Sequence, residues 1–389
     1  MGLTVGVAGG GIAGLTLAVA LQLGGIEVTV LERQAEIRDA GAGISLWPNA
    51  LAALDAVGLG DQVRSLGRSL AAGGELRLDG RAALTFSRRS FENALGEGLV
   101  CVDRGKLVRS LADRLRPGTV RTDWCVAGYE IGRSDVTVRS TSGEKIAFDA
   151  LVGADGINSA VVQQMSGPLP STYSGYTAWR GIAETGGGAA GDEIWACLAG
   201  GHEVGWMPVG ADRTYWFATA WLTEDQEFPD GEAAYLKETF ESWPAPITDL
   251  FAATHPDRLV RNNIADRAMP ERWSQGRVTV VGDAAHPMRP HLGQGGCQAI
   301  EDAVVLARCI LARGVPAEAF AAYESRRRRR ARRVVRLSRM SGFTRPTGRI
   351  TSLSDRISGV LPQIPLGPSI RMIAPVAGYT AGLRAVRGS

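Results

Sequence analysis

The sequence has little with which to cross-link itself or hold a metal. Its five cysteines, Cys101, Cys125, Cys197, Cys297 and Cys309, are odd in number, scattered and free of any C-x-x-C pair. That argues against disulfides and against a zinc site. An excess of charge is lacking too: 43 Lys and Arg against 40 Asp and Glu leave a formal net charge of +3. Nothing overall therefore points to nucleic acid as a partner. No internal repeat is evident. Charge is absent from Leu3 to Ile26, which by hydropathy alone resembles a signal peptide or membrane helix. No basic residue precedes that run, however, and three consecutive glycines, Gly9 to Gly11, break it. The chain is expected to begin inside its fold, to make no stable membrane insertion and to be cytoplasmic.

What is present starts at once. Val5-Gly6-Val7-Ala8-Gly9-Gly10-Gly11-Ile12-Ala13-Gly14 is followed by an apolar run and then by Val28-Thr29-Val30-Leu31-Glu32-Arg33. This reads as strand, glycine turn, helix and strand, with an acid at the tip of the second strand. Gly9 and Gly11 permit the tight turn and the approach of a pyrophosphate. Gly14 lets the helix pack close to the sheet, and Glu32 can accept hydrogen bonds from a ribose. Spacing, flanking strands and the downstream acid agree on a bound dinucleotide.

At 389 residues the chain is long enough for two domains. A helix is expected from about Arg104 to Leu115, apolar at Leu107, Val108, Leu111 and Leu115. Residues 173–222 change character, with strand-like runs at Tyr176 to Ile182, Ile194 to Leu198, Glu203 to Met207 and Thr214 to Trp221. Short turns separate them, so an antiparallel sheet is expected. The fold class is α/β: a Rossmann-like domain over 1–72, 98–172 and 258–389, interrupted by a β-rich domain over 73–97 and 173–257, with a helical C-terminal region. Interleaving of this kind places a pocket at the junction.

Two further stretches carry chemistry. Val278 to Val281 reads as a buried strand that delivers Asp283 to its end, and the segment continues through His286 and Pro290 to Gly293-Gln294-Gly295-Gly296. That loop opens a helix from Gln298 to Leu311, whose N-terminus suits an anionic ring or phosphate. Leu151-Val152-Gly153-Ala154-Asp155-Gly156 is again an apolar strand ending in Asp-Gly.

Gly9-x-Gly11-x-x-Gly14, Asp155-Gly156 and Gly282-Asp283, in this order, resemble the single-component FAD-dependent aromatic hydroxylases, the para-hydroxybenzoate hydroxylase family. Gly175-Tyr176-Thr177-Ala178-Trp179-Arg180-Gly181 and the Gly293–Gly296 loop are similar to the salicylate, urate and zeaxanthin-epoxidase-like branch. The resemblance spans about Leu3 to Arg339. It implies non-covalent FAD, with Gly9, Gly11, Ala13 and Gly14 around the pyrophosphate and Glu32 on the adenosine ribose. It further implies Arg33, Arg104, Val126 and Asp155 in the cofactor site, Asp283 on the ribityl chain, and Pro290, Gly293, Gly295 and Gly296 at the flavin. The Ser-x-x-Arg that usually follows Asp-Gly is not kept: Ser159 precedes Ala160-Val161-Val162-Gln163.

The family's chemistry is reduction of FAD by NADH or NADPH, addition of O2 at flavin C4a, and transfer of the distal hydroperoxide oxygen to an electron-rich carbon. The protein positions the substrate and excludes water. His286 is the one catalytic candidate, with a structural place as the favoured alternative. The substrate face is expected on the β-rich insert, where alternation groups Glu203, Gly205 and Met207, and likewise Tyr215, Phe217, Thr219 and Trp221. Trp47, Trp179 and Trp206 are expected to line it. By resemblance, Tyr215 matches a tyrosine near the substrate of urate-oxidising relatives, and Glu203 stands where they carry a substrate-binding arginine. An acid there disfavours urate and small aromatic carboxylates and suits an N–H donor or a cation; an exposed strand residue is the competing reading.

The arginine-rich run Arg326 to Arg330, with Arg332, Arg333, Arg336 and Arg339, is expected on a solvated helix face. The tail from Ser341 either covers the pocket or lies on the surface. The leading function is hydroxylation of a neutral aromatic or polycyclic molecule. Epoxidation of an isoprenoid-type alkene, modification of an antibiotic, and non-catalytic binding of a pathway intermediate are the alternatives. A flavin halogenase is disfavoured, since Trp-x-Trp-x-Ile-Pro is absent.

Overall fold

Val5, Val7 and Ala8 are fully buried in the strand Thr4–Ala8, as a parallel strand covered on both faces requires. The computed structural model describes residues 2–37, 42–186, 192–340 and 373–380. Thr4–Ala8 lies inside a six-stranded sheet, between Ala150–Gly153 on one side and Glu27–Leu31 on the other, both parallel to it. Val278–Val280 extends the sheet in parallel beyond Ala150–Gly153, and Val120–Arg121 closes the far side. The ends of Thr4–Ala8, Ala150–Gly153 and Val278–Val280 therefore open towards the same edge. Each is followed by a glycine-bearing turn, which is where a doubly wound sheet binds its ligand.

The helix Ile12–Leu23 is buried along most of its length and packs against Gly295–Arg313. The latter ends in Gly314 at φ +67, a left-handed cap that relieves the last carbonyls. The long helix Pro316–Met340 crosses behind it. Its arginines do not form a purely solvated face as expected. Arg327 is 2% exposed and ion-paired to Glu301 and Asp302, and Arg330 also reaches Glu301. Acids on the neighbouring helix, invisible to local periodicity, bring them inside.

The second sheet has seven strands, in the order Val260–Asp266, Thr172–Glu184, Arg213–Trp221, His202–Pro208, Glu193–Ala199, Ala72–Leu76 and Ala82–Phe86. It is mixed rather than antiparallel, because Ala72–Leu76 enters from the first domain and runs parallel to Glu193–Ala199. It also extends past the boundary expected at residue 257: Val260–Asp266 hydrogen-bonds to Thr172–Glu184 before the chain returns to the first sheet. The helices Glu232–Thr239 and Ala245–Ala252 cover one face through Leu236, Phe240, Ile247 and Leu250. The other face turns to the first domain. There Met207, Tyr215 and Ile182 share a core with Leu70, Leu99, Cys101 and Phe91.

Among the described residues no helix is long and apolar enough to cross a membrane. The tail beyond Ser341 lies outside the described residues except for 373–380, where Val376 and Ala377 are buried.

Candidate functional site

The glycine turn separates structural from ligand-facing positions. A Cβ on Gly9, at φ +108, would lie 2.4 Å from the Ala154 carbonyl oxygen, and one on Gly14 would lie 2.0 Å from that of Gly9. These two glycines are demanded by the fold itself. A Cβ on Gly11 would meet no protein atom within 4 Å, so this residue leaves its backbone open to the cleft. Glu32 sits beside it: Oε2 accepts the Gly10 amide at 2.6 Å and Oε1 that of Gln34 at 2.9 Å. Arg33 is exposed, and Val126 is buried in the core just beyond Trp124, whose amide donates to the Glu32 carbonyl at 2.8 Å. Ala13 faces the second motif, lying 3.1 Å from where a Cβ on Gly282 would stand.

Asp283 and Arg104 face that cleft from opposite elements. Solvent reaches the Asp283 side chain, but the surrounding walls push its carboxyl up, while His286, Arg104 and Arg267 oppose the rise. Arg104 opens the helix Arg104–Ala112, which is capped by Asp103 accepting the Gly105 and Lys106 amides at 3.0 and 3.2 Å. Its half-buried guanidinium has no hydrogen bond or ion pair among the described residues. Burial lowers its pKa, partly offset by Asp283. Asp155 accepts the Val161 amide through Oδ2 at 3.3 Å, whereas Oδ1 is buried without a partner. No arginine is needed where Ser-x-x-Arg is broken, since Ser159 itself caps the helix Ala160–Ser166.

The third wall is the loop before Gly295–Arg313. Pro290–Leu292 forms a single turn, and Gly293 adopts φ +59 against Ser45 and Trp47. The helix begins without a side-chain cap, which leaves the first amides, at Gly295 and Gly296, pointing outward. Trp47 Nε1 and Gln294 Nε2 are buried and unpartnered. An open glycine turn, an acid at a strand tip, orphaned polar atoms and an uncapped helix start along one cleft fit an extended dinucleotide.

His286 lies outside that cleft. It is fully buried, its Nε2 pairs with Asp302 Oδ2, and its ring packs on Trp273 at 5.4 Å. Asp302 also accepts the Gly282 amide at 2.9 Å and Arg327 Nε at 2.7 Å. Burial pushes its carboxyl up, but His286 and Arg327 outweigh that and hold it at about 2. Glu301 beside it gathers Asn49, Gln298, Arg327 and Arg330. Asn49 in turn holds Gln294 at 3.0 Å. This polar core underpins the loop before Gly295–Arg313 from behind.

The seven-stranded sheet supplies the fourth wall, and its register decides which residues face the cleft. Glu203 pairs with Thr219, Gly205 with Phe217 and Met207 with Tyr215. The same rows continue to Ala178, Arg180 and Ile182. Residues paired directly opposite share a face, so these form one surface with Trp47 and Phe91 near its edge. Trp179 does not belong to it. It pairs with Ala218, is fully buried on the other face, and donates to Glu232 through Nε1. Trp206 lies there too, opposite Trp195 and Trp216. Strand alternation puts every Trp179 contact behind the sheet and leaves Arg180 to face the cleft.

Glu203 is half-buried rather than an exposed strand residue. Burial, with Glu75 as a like charge, pushes its carboxyl up to about 7. Thr219 is 4% exposed and its hydroxyl has no partner; an unmet buried hydroxyl costs about 1–3 kcal/mol. Arg180 donates to Asn262 at 2.6 Å. Tyr176 OH lies 2.8 Å from His291 Nε2 and ties the sheet to the turn Pro290–Leu292. Arg180, Tyr176, His291 and Glu75 were not named as site residues from the sequence, although Tyr176 and Arg180 belong to the Gly175–Gly181 motif and alternation against Trp179 carries the signal for Arg180. No cluster of three or more His, Cys, Asp or Glu capable of holding a metal occurs among the described residues.

Comparison with known proteins agrees with this geometry. A family model described as FAD binding domain matches residues 2–338. Aurachin C monooxygenase/isomerase of Stigmatella aurantiaca is 39% identical over 91% of this chain and 90% of its own length. FAD-dependent urate hydroxylase of Klebsiella pneumoniae is 36% identical over 82% and 85%. The crystal structure of Klebsiella pneumoniae HpxO with FAD and uric acid superposes with a TM-score of 0.88 at 30% identity, covering 96% of each chain.

Proposed function

The chain belongs to the FAD-binding-domain family and is an FAD-dependent monooxygenase, and from that premise we propose that it hydroxylates a neutral aromatic or polycyclic molecule bearing a ring N–H or O–H. Bound FAD supplies reduction by NAD(P)H and activation of O2. The protein's share is to hold the cofactor and aim the substrate. In this reading Gly11 and the amides around it take the pyrophosphate and Glu32 the adenosine ribose. Arg104 meets an anionic or sugar oxygen and Asp283 the ribityl chain, while Gly293, Gly295 and Gly296 receive the ring. Val126 and Arg33 border the adenosine end, and Pro290 borders the flavin.

The observation that carries the substrate reading is Glu203, a half-buried carboxyl on the cleft face of the sheet, directly opposite Thr219 and one row from the Gly205–Phe217 pair. A carboxylate held among apolar groups repels an anion and favours a hydrogen-bond donor. Once ionised, Glu203 and Glu75 together oppose an anionic acid such as salicylate or urate, while Arg180 on the same face is engaged by Asn262. Free cysteines throughout and dependence on NAD(P)H support a reducing, cytoplasmic setting.

The test is NAD(P)H oxidation and peroxide release by the FAD-loaded protein with urate, salicylate and a panel of neutral hydroxylated or N–H-bearing bicyclic rings. Stimulated, coupled oxidation with neutral rings and none with the acids is the expected result. Turnover of urate or salicylate overturns it.

A further inference from the structure

Glu203 and Thr219 stand directly opposite each other in the antiparallel ladder between His202–Pro208 and Arg213–Trp221. Their Cβ atoms on one face are then ~5 Å apart, close enough for both side chains to reach one edge of a planar ligand. Glu203 makes no hydrogen bond or ion pair among the described residues. The Thr219 hydroxyl is buried without a partner. A satisfied core would leave neither group open, since buried polar side chains nearly always find partners.

The groups around the pair are committed elsewhere. Arg180 donates to Asn262, and Tyr176 is bonded to His291. Tyr215 packs over Gly43, where a Cβ would lie 2.3 Å from its ring. Glu75 brings a second acid from Ala72–Leu76, raised by its own burial. Phe217 lies over Gly205, whose missing Cβ would sit 2.5 Å from the ring, and offers a flat apolar flank beside the two polar groups.

An acceptor next to a donor calls for a donor next to an acceptor on the ligand. We infer that Glu203 and Thr219 together grip the N–H and adjacent C=O of a cyclic amide fused to an aromatic ring, Glu203 accepting from the N–H and the Thr219 hydroxyl donating to the carbonyl. This rests on the neutral-ring reading above and narrows it to lactams. A carboxylate ligand offers two acceptors and no donor, and a phenol has to serve both residues from a single oxygen, whereas a lactam presents donor and acceptor on adjacent atoms.

The experiment titrates isoquinolin-1(2H)-one, its N-methyl derivative, 1-naphthol and salicylate into the FAD-loaded protein, following the flavin absorbance. The lactam is expected to bind at least tenfold more tightly than its N-methyl derivative. Thr219→Val and Glu203→Leu should each remove most of that preference, and Thr219→Ser should restore it. A purely structural role would weaken all four ligands alike and leave the ratio unchanged. Equal affinity for the lactam and its N-methyl derivative, no lactam binding, or a preference that survives Thr219→Val each overturn the inference. If the N-methyl derivative and 1-naphthol bind as well as the lactam, the inference falls while the neutral-ring reading stands. If salicylate binds more tightly than all three, the neutral-ring reading falls as well. Should Glu203→Leu fail to fold, the parent protein and Thr219→Val still decide the matter.

Discussion

The imidazole Nε2 of His286 is hydrogen-bonded to Oδ2 of Asp302, the same oxygen that accepts the Gly282 amide. The pair fixes the turn that carries Asp283 and holds His286 fully buried. Asp302→Asn leaves the His286 and Arg327 contacts unbalanced in a buried site, and breaking such a pair costs about 3–5 kcal/mol. Thermal unfolding should shift down by many degrees. The pH profile of NAD(P)H oxidation in whatever folded protein remains should match the parent. A changed profile at unchanged stability would return His286 to the list of catalytic groups.

The glycines of the first turn should part company under substitution. Gly14→Ala drives a methyl into the Gly9 carbonyl and is expected to unfold or gravely destabilise the protein. Gly11→Val meets no protein atom at its Cβ. It should leave circular dichroism intact while flavin content after purification drops at least tenfold, because the side chain occupies the cradle. Full flavin content in Gly11→Val would move the pyrophosphate elsewhere.

Arg104 and Asp283 should both matter for cofactor retention, by different routes. Arg104→Ala removes a cation without a protein partner, so folding survives and the FAD dissociation constant rises by about 10- to 100-fold, as loss of a charge-assisted hydrogen bond implies. Asp283→Ala removes a carboxyl that the folded protein holds protonated to a higher pH than usual. Apo-protein stability should therefore not fall, while FAD affinity does. Equilibrium titration of apo-protein with FAD measures both.

Glu203 gives a pH signature. Its carboxyl stands at about 7 in the folded protein against an ordinary 4.5. Between those values the folded state holds a proton that the unfolded state has released, so stability declines as pH rises through that window and the loss is complete above it. The group is only half-buried, which limits the effect to about 1–3 kcal/mol. Glu203→Gln should gain stability over the parent at pH 8 and little at pH 5, as read from melting temperatures. An equal difference at both values would mean that Glu203 titrates normally.

Much of the glycine-turn geometry was legible because its signals are local. Gly9, Gly14, Asp155 and Asp283 each follow an apolar strand within a few residues, and the turn chemistry can be read without knowing what packs where. The inner face of the second sheet was half legible. Alternation grouped Glu203 with Met207 and Tyr215 with Phe217 and Thr219, but only register across Thr172–Glu184 shows that Trp179 faces away and Arg180 inward. Arg327 was misplaced for a related reason. Its run of neighbours looks solvated, and the acids that draw it inside lie on another helix. The parallel pairing of Ala72–Leu76 with Glu193–Ala199 leaves no local mark.

The order of strands in the first sheet sets a timetable for synthesis. Of the sheet's strands Thr4–Ala8 is synthesised earliest, yet the sheet that buries it is not finished until Val278–Val280 has been added, and the helix that covers Ile12–Leu23 follows only with Gly295–Arg313. Until then the open flank of Ala150–Gly153 is an unpaired, wholly apolar ribbon. A nascent chain stalled before residue 278 thus exposes the kind of edge that chaperones bind and aggregates recruit. Truncation before residue 278 should abolish recovery of soluble product rather than yield a smaller, cofactor-binding fragment.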